Sequence, residues 1–221
     1  MVAGIARGVC CYFIAGNSLD LFIGSAILCV LITPPLSAFA GRLPGAVLIS
    51  FGIAVGCGSA WLIPVFSHAI TIQQWITCVG VNLTLLLEIA MVVRLLILLR
   101  IPPTASSALV LLLAIGWLTW PIWLSNWLSG SQLRLSIALH PLFVMNHMVD
   151  HLGIWTEQQR AYSLTSLGQD VQYQLPTSAL PVIGFQLGIA LLALIGCWLC
   201  KRIAPRSMNQ IETDASAIKT R

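Results

Sequence analysis

LPGAVLISFGIAVGCGSAWLIPVFSHAITIQQWITCVGVNLTLLL, residues 43–87, contains no Asp, Glu, Lys or Arg. A wetted protein surface cannot be built from such a stretch. A bilayer accepts it, because about 30 Å of hydrocarbon is crossed by ~20 apolar residues in a helix. The run is long enough for two crossings, and comparable apolar runs follow at residues 106–128 and 179–200. Around it, the 221-residue chain is 58% hydrophobic and only 8% charged, with mean hydropathy +0.92. Soluble domains carry about 25% charged residues. The chain therefore reads as an all-α, polytopic transmembrane helical bundle, with no segment large enough for a separate soluble domain.

Five crossings are expected, at about 19–40, 43–65, 72–99, 106–128 and 179–200, or six if the N-terminal segment adds one. Residues 8–16 are apolar but too short to span, and no small-x-small site follows, so an interfacial or re-entrant helix is expected there rather than a removable signal peptide. In the first crossing, Thr33-Pro34-Pro35 removes two backbone donors and should kink or end the helix. The outer loop 129–178 should hold an amphipathic helix over 133–152, broken at Pro141, and residues 201–221 read as a flexible tail. Two small-residue ridges, Gly52-x3-Gly56-x3-Ala60 and Gly184-x3-Gly188, predict close helix–helix contacts within the chain or between copies. Trp61, Trp75, Trp117, Trp120, Trp123 and Trp127 fall at one interface if the crossings alternate, as an aromatic belt would.

Orientation follows from the basic residues. Arg42, Arg100, Lys201, Arg202, Arg206, Lys219 and Arg221 share one side, with Arg94 nearby, whereas Arg7, Arg134 and Arg160 lie on the other. Basic residues mark cytoplasmic loops, so the C-terminus is expected in the cytoplasm and loop 129–178 outside it. The net charge of +4 is accounted for in this way and is not a nucleic-acid signal, since five of the eleven basic residues lie in the last 21 positions.

Several chemistries find no support. The seven cysteines form no disulfide framework; most lie in apolar runs, where Cys behaves as a small hydrophobe. Cys197-x-x-Cys200 has dithiol spacing but no second pair, and packing is the better reading; adjacent Cys10-Cys11 offers a weak acylation signal. Asn82-Leu83-Thr84 matches a glycosylation acceptor inside a crossing, out of reach of that machinery. There is no phosphate-cradling glycine loop and no nucleophile elbow.

Glu88 is the sharpest oddity. It precedes Arg100 by twelve residues, about 18 Å along a helix at 1.5 Å per residue, which places it near mid-bilayer. Ionisable groups at that depth are costly and face the bundle interior or a wet cavity. Glu88 is thus a candidate for proton transfer or cation binding, against the plainer role of a paired carboxylate holding helices in register. Arg94, six residues on, falls on another helix face and is expected to snorkel to the headgroups.

A second candidate set is His140-Pro141…Asn146-His147-x-x-Asp150-His151. Pro141 suits a first helical turn with His140 at its cap. Offsets of seven and eleven then bring His147 and His151 within ~40° of His140 on the helical wheel. With Asp150 they form a credible Zn²⁺ or Cu²⁺ set, although an interfacial helix whose histidines meet headgroups explains the pattern more simply. His147-x-x-Asp150-His151 is similar to the inverted zinc-protease motif, but Asp replaces the Glu that acts as base, and no further ligand follows.

The reading these features favour is a non-enzymatic membrane subunit of a transport assembly, energised by a partner chain such as an ATPase. The alternatives are a metal- or haem-binding redox protein using the outer-loop histidines, and a structural subunit of a larger membrane complex. The layout resembles, in topology alone, the membrane subunits of ABC-2-type exporters, which place a structured outer loop before the last helix, as residues 129–178 precede the 179–200 crossing here.

Overall fold

A computed structural model describes residues 20–40, 43–66, 70–124, 127–128, 130–149 and 176–219. In chain order the helices are α1 (Asp20–Phe39), α2 (Leu43–Ala60), α3 (Leu62–Phe66), α4 (Ile72–Leu98), α5 (Pro103–Trp123), α6 (Gly130–Ala138), α7 (Pro141–Val149) and α8 (Leu180–Lys219). There is no strand among the described residues. Four stretches are long and apolar enough to cross a membrane: Leu43–Ala60, Ile72–Leu98, Pro103–Pro121 and Leu180–Arg202. The apolar part of α1, Gly24–Phe39, is shorter. The protein is a multi-pass helical membrane protein.

The ends of α4 explain its definition. Thr71 caps its N-terminus: its hydroxyl accepts from the Gln74 backbone N–H while the Gln74 side chain accepts from the Thr71 N–H, a reciprocal box that satisfies two otherwise orphaned donors. At the other end Arg100 adopts φ +67°. The Arg100 N–H then donates to the Ile97 carbonyl at 3.0 Å and the Ile101 N–H to the Leu96 carbonyl at 3.1 Å, a Schellman stop usually built on glycine. Pro102 and Pro103 follow and open α5, where a missing N–H costs nothing.

α4 is also the hub of the bundle, packing against α1, α2, α5, α7 and α8. The Trp61 indole donates to Ser25 Oγ at 2.8 Å, tying the end of α2 to the start of α1. The Trp75 indole donates to the Gly58 carbonyl at 2.9 Å, tying the start of α4 to the end of α2. Thr84 meets Gln186 and Leu95 meets Gly196, both numbers rising together, so α4 and α8 run parallel. Trp117, near the end of α5, lies 6.3 Å from Phe185, near the start of α8. Trp61, Trp75, Trp117 and Trp120 therefore collect at one end of the bundle, the end that α6 and α7 cover.

Several boundaries differ from the sequence reading. α1 runs through Pro34 and Pro35 to Phe39, since membrane helices tolerate proline where neighbouring groups make up for the missing donors. α5 stops at Trp123 rather than 128 because Pro121 withholds an N–H from its last turn. The outer-loop helix is broken at Pro141, as expected, into α6 and α7, with α6 starting at Gly130 rather than 133. The segment read as a flexible tail continues α8 as helix to Lys219. Extending an existing helix requires no new nucleus, and Met, Gln, Ile, Glu, Ala and Lys after position 207 favour it.

Of the two kinds of contact expected of the small-residue ridges, those within the chain are not made among the described residues. A Cβ added at Gly52, Gly56, Gly184 or Gly188 would meet nothing within 4 Å, and all four glycines are exposed. On α2 the face packed into the bundle is the other one, with Ala46, Ser50, Ala54 and Gly58 all buried. A Cβ at Gly58 would lie 3.0 Å from Val79 Cγ2, and one at Gly196 2.9 Å from Leu95 Cδ1. These two glycines carry the close helix contacts.

Candidate functional site

The seam between α4 and α8 brings together a buried polar pair, Thr84 and Gln186, and the face of α4 that carries Glu88. Along α4, Thr77, Thr84, Glu88, Met91 and Leu95 recur at intervals of three, four and seven, which align on one helical face. Thr84 donates to Gln186 of α8, Met91 packs with Ala190 and Ala193, and Leu95 lies over Gly196. Glu88, half-buried, occupies the same face one turn beyond Thr84 and one turn before Met91.

The Thr84–Gln186 contact is not fully satisfied. Thr84 has one proton and three oxygens within reach: Gln186 Oε1, the Gly80 carbonyl at 3.0 Å and the Val81 carbonyl at 3.1 Å. Gln186 Nε2 is buried with no hydrogen-bond partner. Were the amide turned end for end, Nε2 would donate to Thr84 and the oxygen would be stranded instead. Either way a fully buried amide offers one open polar atom to the seam, at a cost of about 1–3 kcal/mol.

Above this pair, toward the tryptophan end, a groove of about 660 Å³ is lined by Thr71, Gln74, Thr77, Gly80, Ser178 and Ile183, among others. Gly80 and Ile183 are one turn from Thr84 and Gln186, so the groove, the pair and Glu88 follow one another down the α4–α8 line.

Arg94 is only 9% exposed, held inside the bundle on α4. The expectation that it reaches the headgroups is thus replaced by burial between helices.

Of the outer-loop set, Asp150 and His151 lie outside the described residues. His147, on α7, is half-buried. His140 is 2% exposed and sits among Trp117, Trp120 and Phe143, with ring centroids 5.8, 5.9 and 4.9 Å away. Its Nε2 lies 3.3 Å from the Leu118 carbonyl, which makes Nε2 the donor and leaves the buried Nδ1 without a partner. The ring also addresses the carbonyl of Trp117, which Pro121 leaves without its helical donor. Burial pushes the His140 imidazole down to about 4, against the weaker upward pull of these carbonyls. His140 thus fills a break in α5 as a neutral ring. Among the described residues no three His, Cys, Asp or Glu side chains form a metal-holding group.

Sequence reasoning singled out Glu88 but not its partners on the seam. The signal for Gln186 was present: it is the only amide in the apolar stretch 180–200. Its pairing with Thr84 had no such mark, because it depends on how two helices rotate against each other.

These features define an integral membrane bundle with a polar seam inside it. Comparison with known proteins finds no family model, curated protein or solved structure that matches the chain.

Proposed function

We propose that this chain is a non-enzymatic membrane subunit of a transport assembly, energised by a partner chain such as an ATPase, with the α4–α8 seam as the route or coupling site. The observation that carries this reading is the succession, down the α4–α8 line, of the groove, the open Gln186 amide one turn below it and Glu88 one turn further on. A bundle that served only as scaffold gains nothing from a half-buried acid and an unpartnered amide, because both cost stability in a low-dielectric interior. The outward Gly52/Gly56 and Gly184/Gly188 faces support association with other subunits, since small residues let helix backbones approach closely.

In this reading five helices cross the bilayer, with α1 as the first, and the tryptophan end with α6 and α7 faces outward. The C-terminal end of α8 is cytoplasmic. There Arg202 stacks 4.1 Å over the Trp198 ring, a pairing suited to an interface, and basic residues favour that side.

Purification from the native membrane in mild detergent tests the proposal. An energy-supplying partner is expected to co-purify, and Glu88→Gln should leave that association intact while abolishing turnover of the assembly. Recovery of a lone chain would refute the assembly; full turnover by the Gln variant would leave a structural subunit as the role.

A further inference from the structure

At the end of the bundle away from the groove, the register of α4 and α8 sets basic residues side by side. Thr84 pairs with Gln186, 102 positions on, and Leu95 lies over Gly196, so the two parallel helices keep one register along their length. Carried to the ends of their apolar segments, that register brings Arg100 level with Lys201 and Arg202 of α8. The Arg100 and Ile101 N–H groups bond back to Ile97 and Leu96, which keeps Arg100 at the helix end. All three basic residues are exposed. The sequence offers them no close counter-charge: no Asp or Glu stands between Glu88 and Asp150 or between Asp170 and Glu212.

The surface below these cations is apolar and faces outward. Leu191, Ile195 and Trp198 recur along α8 at intervals of four and three and are 57%, 45% and 51% exposed. Arg202 follows at the next interval of four, on the same face, with its guanidinium carbon 4.1 Å from the centroid of the Trp198 ring. A guanidinium stacked on an indole keeps its N–H fork at the rim, where it meets a phosphate in plane. The strip is thus greasy through the membrane and cationic where it leaves it. Acyl chains cover such a strip in any bilayer, so the headgroups of those same lipids are the anions nearest to the cations. An acidic soluble protein has to reach them from bulk water.

We propose that Arg100, Lys201 and Arg202 form a docking site for the headgroup of an anionic phospholipid, with Trp198 at the headgroup boundary and Ile195 and Leu191 along an acyl chain. Indole rings settle at that boundary, and clusters of basic residues at the ends of membrane helices attract anionic headgroups. The arginine forks suit phosphate oxygens bidentately, while the lysine acts as a point charge. Level cations on adjacent helices repel each other, and one phosphate between Arg100 and Lys201 removes that repulsion and ties α4 to α8. A zwitterionic headgroup brings its own ammonium group and does this less well. The site lies at the opposite end of the seam from the groove and does not depend on the transport reading.

The test uses the full chain reconstituted in phosphatidylcholine vesicles that carry either acyl-brominated phosphatidylglycerol or acyl-brominated phosphatidylcholine. Bromine quenches an indole it touches, and the difference between wild type and Trp198→Phe isolates the Trp198 signal from the other tryptophans. The ratio of quenching by the two lipids gives the anionic preference at this site. A preference of about tenfold is expected. Each of Arg100→Gln, Lys201→Gln and Arg202→Gln should reduce it by up to about fivefold, the gain a basic residue has near an anionic surface, and the triple variant should bring it to one. Arg134→Gln, on α6 at the other end, should leave it unchanged. The ratio is taken within each variant, so a changed Trp198 emission does not affect it, and every variant is first checked for an unchanged melting temperature. Inorganic phosphate should lower the preference no more than chloride at the same ionic strength. A wild-type ratio of one would overturn the proposal and leave the cations to an acidic protein surface. An undiminished ratio in the triple variant would also overturn it, as would displacement by phosphate beyond the salt effect, the mark of a free-anion site.

Discussion

Thr84 on α4 and Gln186 on α8, 102 positions apart in the chain, share a hydrogen bond inside the bundle. That one contact sets the height of the last helix against the central one and brings Glu88 to the seam. Interhelical hydrogen bonds within membranes contribute about 0.6 kcal/mol on average, so the pair specifies register more than it stabilises.

Its energetics are testable by a double-mutant cycle. Thr84→Val strands the Gln186 amide completely and should cost about 1 kcal/mol, while Gln186→Leu leaves Thr84 to its own helix carbonyls and should be near neutral. The double variant should match Gln186→Leu rather than sum the two. Equilibrium unfolding in mixed micelles measures this, and simple additivity would show that the two residues do not interact.

The glycines divide into two groups with opposite expectations. Gly58→Leu and Gly196→Leu place bulk where Val79 and Leu95 already stand and should destabilise the monomer by about 1–3 kcal/mol. Gly52→Leu and Gly188→Leu enter open space and should leave monomer stability unchanged while weakening any association with other chains. Thermal unfolding and size-exclusion profiles separate the outcomes.

His140 imposes a pH dependence. Its imidazole is held neutral down to about 4 in the fold, against about 6.5 in an unfolded chain. Between those values the unfolded chain takes up a proton that the folded one refuses, so stability falls as pH falls from 6.5 to 4, by up to about 3 kcal/mol. Above 6.5 the effect is absent. His140→Phe should flatten this part of the stability profile, and an unchanged slope in that variant would place the titrating group elsewhere.

Arg100 closes α4 with a left-handed backbone that side chains other than glycine resist. Arg100→Gly should therefore raise the unfolding free energy by about 1 kcal/mol. A loss of stability would mean that the arginine side chain makes a compensating interaction larger than the backbone strain.

What the sequence determined by itself was the solvent and the segmentation. The charge-free stretch 43–87 demands lipid whatever the packing. Thr71 with Gln74, Pro102 with Pro103, and Pro141 mark helix ends through local backbone chemistry. Glu88 stands out because an acid in an apolar run is costly in any arrangement. Tertiary structure alone decided the rest. α2 carries two small-residue ridges at the same spacing, and the one around Ala46, Ser50, Ala54 and Gly58 faces inward, leaving Gly52 and Gly56 outside. His140 reads as an exposed ligand along its own helix and is instead a buried ring filling the break that Pro121 makes in α5. Thr84 and Gln186 lie on two helices, and nothing local links them. The physical reason is common to all three: in water, hydrophobicity fixes which helix face turns inward, but lipid is as apolar as the core. Helix rotation in a bilayer is therefore set by side-chain fit and buried hydrogen bonds, which exist only once the helices have met.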